Sequence, residues 1–178
     1  MIHGLPEEPY AQVEISNFWT VDDLEAAAVV PPSSWSELLT TARASMRLLV
    51  FSDQIIEQLR PRPFHPGVAR RIRELLQILE DLATETDEDS SLSAAGIALQ
   101  QRHFVGEKAS FSDESAANKT DFKRDLTFRD PAGGGEDLFC PWHGKIKIGQ
   151  YRIHFEWPRP KGQRQIKVVY IGPKKTKR

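Results

Sequence analysis

An α+β fold, with an N-terminal helical hairpin followed by a small antiparallel β-sheet, is predicted by three observations. Apolar residues recur at helical spacing from Trp35 to Leu82, they alternate with period two from Trp142 to Trp157, and glycine and proline cluster between the two regions. A chain of 178 residues, 39% hydrophobic and 28% charged, has the size for one compact domain and a composition outside the disordered and membrane classes. It divides into an irregular arm over 1–32, a helical region over 33–101, and a sheet domain over 102–178 that ends in a basic tail.

The arm carries Pro6, Pro9, Pro31 and Pro32 around a short helix beginning after Thr20. Ser34-Trp35-Ser36-Glu37 then reads as a capping box. The helix it opens runs through Trp35, Leu38, Leu39, Ala42, Met46, Leu49 and Val50, and continues with a shift in phase through Ile55, Ile56 and Leu59 to Pro61. Three prolines between residues 61 and 66 remove donors and enforce a linker. A second helix follows, with Val68, Ile72, Leu75, Leu76, Leu79 and Leu82 on one face. The acidic Asp87–Ser91 segment breaks the chain and caps a third helix over Leu92–Gln101. Between Phe104 and Phe128 turn residues prevail, with Phe111, Phe122, Leu126 and Phe128 as anchors, and loop with a short helix is expected. Leu126–Phe128 forms a strand and Asp130–Asp137 a glycine-rich turn. After the ribbon comes a third strand, Gln165–Ile171, with Ile166, Val168 and Tyr170 on one side and Lys167 on the other.

The ribbon carries the chemistry. With Gly149-Gln150 as a two-residue turn, Lys147 faces Arg152, Lys145 faces His154, and His143 faces Glu156. The other face holds Trp142, Ile146, Ile148, Tyr151, Ile153, Phe155 and Trp157, interrupted only by Gly144. One face packs and the other meets solvent. Imidazole titrates near neutrality and suits a general base or acid, so His143 and His154 with Glu156 are the candidate catalytic groups for metal-independent cleavage of RNA. Lys145, Lys147, Arg152, Lys167, Lys174 and Lys175 are the candidate nucleic-acid-binding groups. The competing interpretation is a solvated face whose charges pair across strands.

Charge supports a polyanion partner. From Leu138 to Arg178 eleven Lys/Arg stand against the single acid Glu156, whereas Met1 to Asp137 has thirteen Lys/Arg against twenty-four Asp/Glu. The net charge of −1 hides this division. Two metal-based readings compete with the imidazole one. Asp130 with Glu136 or Asp137, and Lys145 on a following strand, could hold a divalent cation, yet His143 occupies the position where that pattern wants a carboxylate. Cys140 and His143 have zinc-ligand spacing, but His154 or His103 would have to complete four ligands. Core packing is the expected role of Trp142, Phe155 and Trp157. No metal and no cofactor is expected.

Tyr151-Arg-Ile-His-Phe-Glu-Trp157, followed by Lys167-Val-Val-Tyr-Ile-Gly172 and Lys174-Lys175, resembles the last two strands of RelE/HigB-like messenger-RNA interferase toxins. The resemblance covers the end of the chain only. It implies a small antiparallel sheet that cleaves RNA without metal, and it implicates Arg152, His154, Tyr170 and Lys174. The function expected from the sequence is therefore a nucleic-acid-directed protein, RNA before DNA, acting as an RNase-like module of a bacterial toxin or defence system. The alternative is a non-enzymatic adaptor that binds nucleic acid or an acidic partner through its basic end. The helical region would serve a protein partner or a homodimer. A lone cysteine and the lack of a signal-like or membrane-spanning segment lead to a cytoplasmic, non-membrane expectation.

Overall fold

The computed structural model describes residues 31–176; the short helix expected after Thr20, and all of the arm before Pro31, lie outside the described residues. The first helix, α1 (Trp35–Ser45), starts where the capping box places it, since Ser34 Oγ accepts from the Glu37 amide at 3.1 Å. Glu37 in turn accepts from the Ser33 amide at 2.8 Å. The helix does not continue to Pro61 as expected. It stops at Met46, and the chain forms strand β1 (Leu49–Phe51) and a short helix α2 (Ile55–Leu59). The change in apolar phase marks this break. Leu49 and Phe51 are buried on the sheet edge, and the Glu80 carboxylate takes the Leu48 amide at 3.0 Å.

Pro66, which has no amide to leave unsatisfied, begins α3 (Pro66–Thr84). His65 caps it by accepting from the Gly67 and Val68 amides through Nδ1 at 3.1 and 3.4 Å. Helix α4 (Ala94–Phe104) is capped by Ser93 rather than by the acidic segment before it. After β2 (Phe111–Ser112), the short helix expected in the turn-rich segment is α5 (Ala116–Asp121), capped by Ser115. Strands β3 (Thr127–Arg129) and β4 (Asp137–Phe139) pair as a ribbon. They are followed by β5 (His143–Ile146), a 3-10 turn at Ile148–Gln150, β6 (Tyr151–Phe155) and β7 (Ile166–Pro173).

The main sheet has the order β1-β7-β6-β5-β2. It is mixed, which corrects the expectation of a purely antiparallel sheet: β1 runs parallel to β7, with Leu49 opposite Ile166 and Phe51 opposite Val168. A parallel neighbour requires a long crossover, here nearly the whole described chain. Periodicity within each strand does not carry that information.

One face of this sheet packs on α3, whose Ile72, Leu75, Leu76, Leu79 and Leu82 are all buried with Ile146, Ile153, Phe155 and Val168. Helices and sheet thus share one core. Gly144 interrupts the apolar face for a steric reason, because a Cβ there would stand 3.1 Å from Phe111 and 3.2 Å from Leu75. Phe104 closes the core edge, with its ring centroid 4.9 Å from Trp157 and 5.8 Å from Trp142. These tryptophans and Phe155 pack as expected. No helix among the described residues is long and apolar enough to cross a membrane.

The opposite sheet face is covered by the β3–β4 ribbon. Cys140, Val169 and Tyr170 form a second, smaller core there with Phe128 and Leu138. The Cys140 amide extends the ribbon ladder by donating to the Leu126 carbonyl at 2.8 Å, the Cys140 carbonyl meets His154 Nδ1 of the sheet at 2.9 Å, and Lys167 donates to Asp130 at 2.9 Å, so both ends of the ribbon are tied down.

Candidate functional site

The β5–β6 turn is four residues long, not two. Ile146 pairs with Tyr151, while Gly149 and Gln150 have φ of 62° and 54°. Two consecutive left-handed residues let the chain reverse only after Lys147 and Ile148 have left the ladder. The register accordingly moves by two residues: His143 faces His154 and Lys145 faces Arg152, rather than Glu156 and His154. An even shift keeps each side chain on its own face. The grouping of His143, Lys145, Arg152 and His154 therefore survives although every pairing changes.

Across the sheet these residues form rows. Ser112 on β2, His143 on β5, His154 on β6 and Tyr170 on β7 are successive cross-strand partners. Tyr170 shares this face, contrary to its expected place beside Val168, because a bulge after His154 re-phases β7. The adjacent row is Lys145, Arg152 and Gly172. Gly172 is required there, since a Cβ would lie 2.6 Å from the Tyr170 hydroxyl, which donates to the Pro173 carbonyl at 2.7 Å.

The histidines do not meet solvent as expected. His143 is 5% and His154 1% exposed, with ring centroids 5.4 Å apart. Phe128 of the ribbon lies 5.6 Å from the His154 ring and 5.7 Å from Tyr170. Nδ1 of His154 faces the Cys140 carbonyl at 2.9 Å, which makes that nitrogen the donor and leaves Nε2 with a lone pair. Burial, followed by repulsion from His143, pushes His154 down to about 3. Burial also lowers His143, against the pull of the Pro141 carbonyl and the Glu114 carboxylate. Both rings are neutral at neutral pH.

Glu156 stands apart from them. It accepts from Gln163 at 3.1 Å and lies 3.7 Å from Lys167, which Asp130 also engages. Lys167 is thereby neutralised in a half-buried cluster and does not join the other cations. Asp130, the first carboxylate of the metal-nuclease reading, is committed to the same lysine. No group of three or more His, Cys, Asp or Glu side chains among the described residues is placed to hold a metal ion.

Lys145 and Arg152 face each other across β5 and β6, and Lys147, Lys174 and Lys175 stand at the β5–β6 turn or on the segment that follows β7 beside it. Lys174 is brought to the β5–β6 turn by its amide, which donates to the Gln150 carbonyl at 2.8 Å. Lys175 lies over Tyr170, its ammonium 4.9 Å from the ring centroid. None of the five has an ion-pair partner among the described residues. Arg152 spends Nη1 on the Tyr151 carbonyl at 2.8 Å and keeps a buried Nε without a partner.

Sequence reasoning missed Ser112 and Glu114. Glu114 is buried, and it accepts from Asn118 at 2.7 Å and from Thr176 at 3.0 Å. Its Oε1 lies 3.6 Å from Nδ1 of His143, while Ser112 Oγ lies 3.4 Å from Nε2 of the same ring. Both residues sit in a Ser-Asp-Glu-Ser segment whose composition signals only a turn.

Comparison with known proteins gives no relationship. No family model, no curated protein and no solved structure matches this chain.

Proposed function

We propose that this chain is a nucleic-acid-directed protein that grips the phosphate backbone at the β5–β6 end of its sheet, through Lys145, Lys147, Arg152, Lys174 and Lys175. One observation carries the reading: these five cations lie at one end of the sheet and none makes a direct ion pair among the described residues, Glu114 acting on Arg152 only at longer range, while Lys167, on the same face, is neutralised by two carboxylates. Lys145 directly opposite Arg152 is a like-charge pair, which costs stability in a bare ribbon and is relieved by a bridging anion. The surplus of positive charge after Leu138 extends the same field. RNA is tested first, because the end of the chain resembles messenger-RNA interferases. Proton transfer to and from the ribose 2′-hydroxyl and the leaving oxygen by the His143–His154 pair conflicts with the burial of both rings, so the function proposed is binding.

Fluorescence anisotropy with labelled single-stranded RNA and DNA over a salt series provides the test. Binding should weaken linearly in log–log form, and Lys145→Ala or Lys174→Ala should each reduce the slope by about one with several-fold weaker binding. The absence of binding even at low salt overturns the proposal.

A further inference from the structure

We propose that Ser112, His143 and Glu114 form a nucleophile relay, with Ser112 Oγ attacking the phosphorus of a phosphodiester held by Lys145 and Arg152. The ring nitrogens of His143 are divided as such a relay requires. Nδ1 faces the Pro141 carbonyl at 3.3 Å and the Glu114 carboxylate at 3.6 Å, so it carries the proton; Nε2, with its lone pair, faces the Ser112 hydroxyl at 3.4 Å. Glu114 is fixed by Asn118 and Thr176, which occupy one carboxylate oxygen each. Burial fits this role better than direct contact with ribose, because the imidazole has only to touch Ser112, and Ser112 is half-buried at the face edge. Such spacings are commonly long before substrate is bound and shorten afterwards.

In the first step the Ser112 Oγ–P bond forms, His143 Nε2 takes the hydroxyl proton, the P–O bond to the leaving group breaks, and the imidazolium returns that proton to the leaving oxygen. Water then attacks the phosphoserine diester. His143 takes the water's proton, the Oγ–P bond breaks, and the proton returns to Ser112. Lys145 and Arg152, which lie one row away, stabilise charge on the equatorial phosphoryl oxygens. Glu114 is a positioning residue that holds the tautomer and the imidazolium.

The choice of a phosphodiester rests on the nucleic-acid reading above; the nucleophile does not. Full-length protein is therefore treated with a small fluorophosphonate, which phosphonylates an activated serine without needing nucleic acid, and the labelled residue is mapped by mass spectrometry. Ser112 should be labelled, Ser112→Ala should abolish the label, and His143→Gln should slow it by a factor on the order of 100. If His143→Gln does not fold, Glu114→Gln serves in its place, with about tenfold slower labelling. In wild type the rate should fall on acidification as His143 gains a proton. The groups facing that ring are Glu114 before α5, Lys145 on its own strand, and Arg152 and His154 on β6. In Glu114→Gln this pH profile should move to lower pH. An unlabelled wild-type protein, or a label on another serine that His143→Gln leaves unchanged, overturns the relay. Labelling that RNA and DNA both fail to suppress overturns the phosphodiester and leaves the nucleophile.

Discussion

His154 shows how a residue of the expected kind can sit in an environment that reverses its expected role. Its alternation in Tyr151–Trp157 assigns it to the polar face, and that assignment holds. What alternation cannot report is a second layer of chain over that face, and here Phe128 and the Cys140 carbonyl enclose the ring. The consequence is measurable. A histidine held near 3 in the folded protein and near 6.5 when unfolded leaves the unfolded state binding more protons at intermediate pH. Stability is then full above about pH 6.5 and lost progressively as pH falls toward 3, at up to about 1.4 kcal/mol per pH unit for this group. Denaturant unfolding between pH 7.5 and 5 should show that loss, and His154→Asn should have a shallower slope with a lower stability at neutral pH. Equal slopes in the two proteins would mean that another group carries the acid sensitivity.

At the scale of elements, the sequence makes the helices legible through their caps and apolar stripes, as with Ser34, His65-Pro66 and the leucines of α3. Strands were legible where alternation was long, in β5, β6 and β7. Strand β1 was not, since Leu48-Leu49-Val50-Phe51 has no alternation and adjoins a helical pattern. Strand β4 was hidden because Asp137–Phe139 directly follows a glycine turn, and a pairing of only three residues with β3 needs tertiary support. That support includes Lys167, which joins Asp130 of the ribbon to the sheet. The pair is half-buried, and losing one member leaves the other's charge without its partner, so Lys167→Met should loosen the ribbon from the sheet face. Cys140, the single cysteine and wholly buried beneath it, reports the loosening; burial, then Glu156, pushes its thiol up to about 12. Reaction with a thiol reagent should be slow in the wild type and faster by at least about tenfold in Lys167→Met, the local opening free energy having fallen by roughly 1.4 kcal/mol or more. An unchanged rate would place the restraint in Phe128 and Leu138 instead.

For the described molecule as a whole, the sequence divides naturally into a helical part and a sheet part, yet the structure merges them into one body from Pro31 onward. The reason is that each part lacks a second layer. The apolar face of α3 has no helix broad enough to cover it, and the sheet's face of Ile146, Ile153, Phe155 and Val168 has no second sheet; each is the other's partner. A binary pattern shows that such faces exist without showing which one meets which. The merged core makes a definite prediction about cooperativity. Leu76, fully buried in α3, should cost about 2–5 kcal/mol when replaced by alanine. Helical circular dichroism and tryptophan fluorescence, the latter reporting partly on Trp142 and Trp157 at the sheet, should fall together in one transition in both proteins. The variant should shift both midpoints by the same amount. If the helical signal outlasted the fluorescence change in wild type, or if Leu76→Ala moved only the helical signal, the two parts would be separate folding units and the shared core would not govern stability.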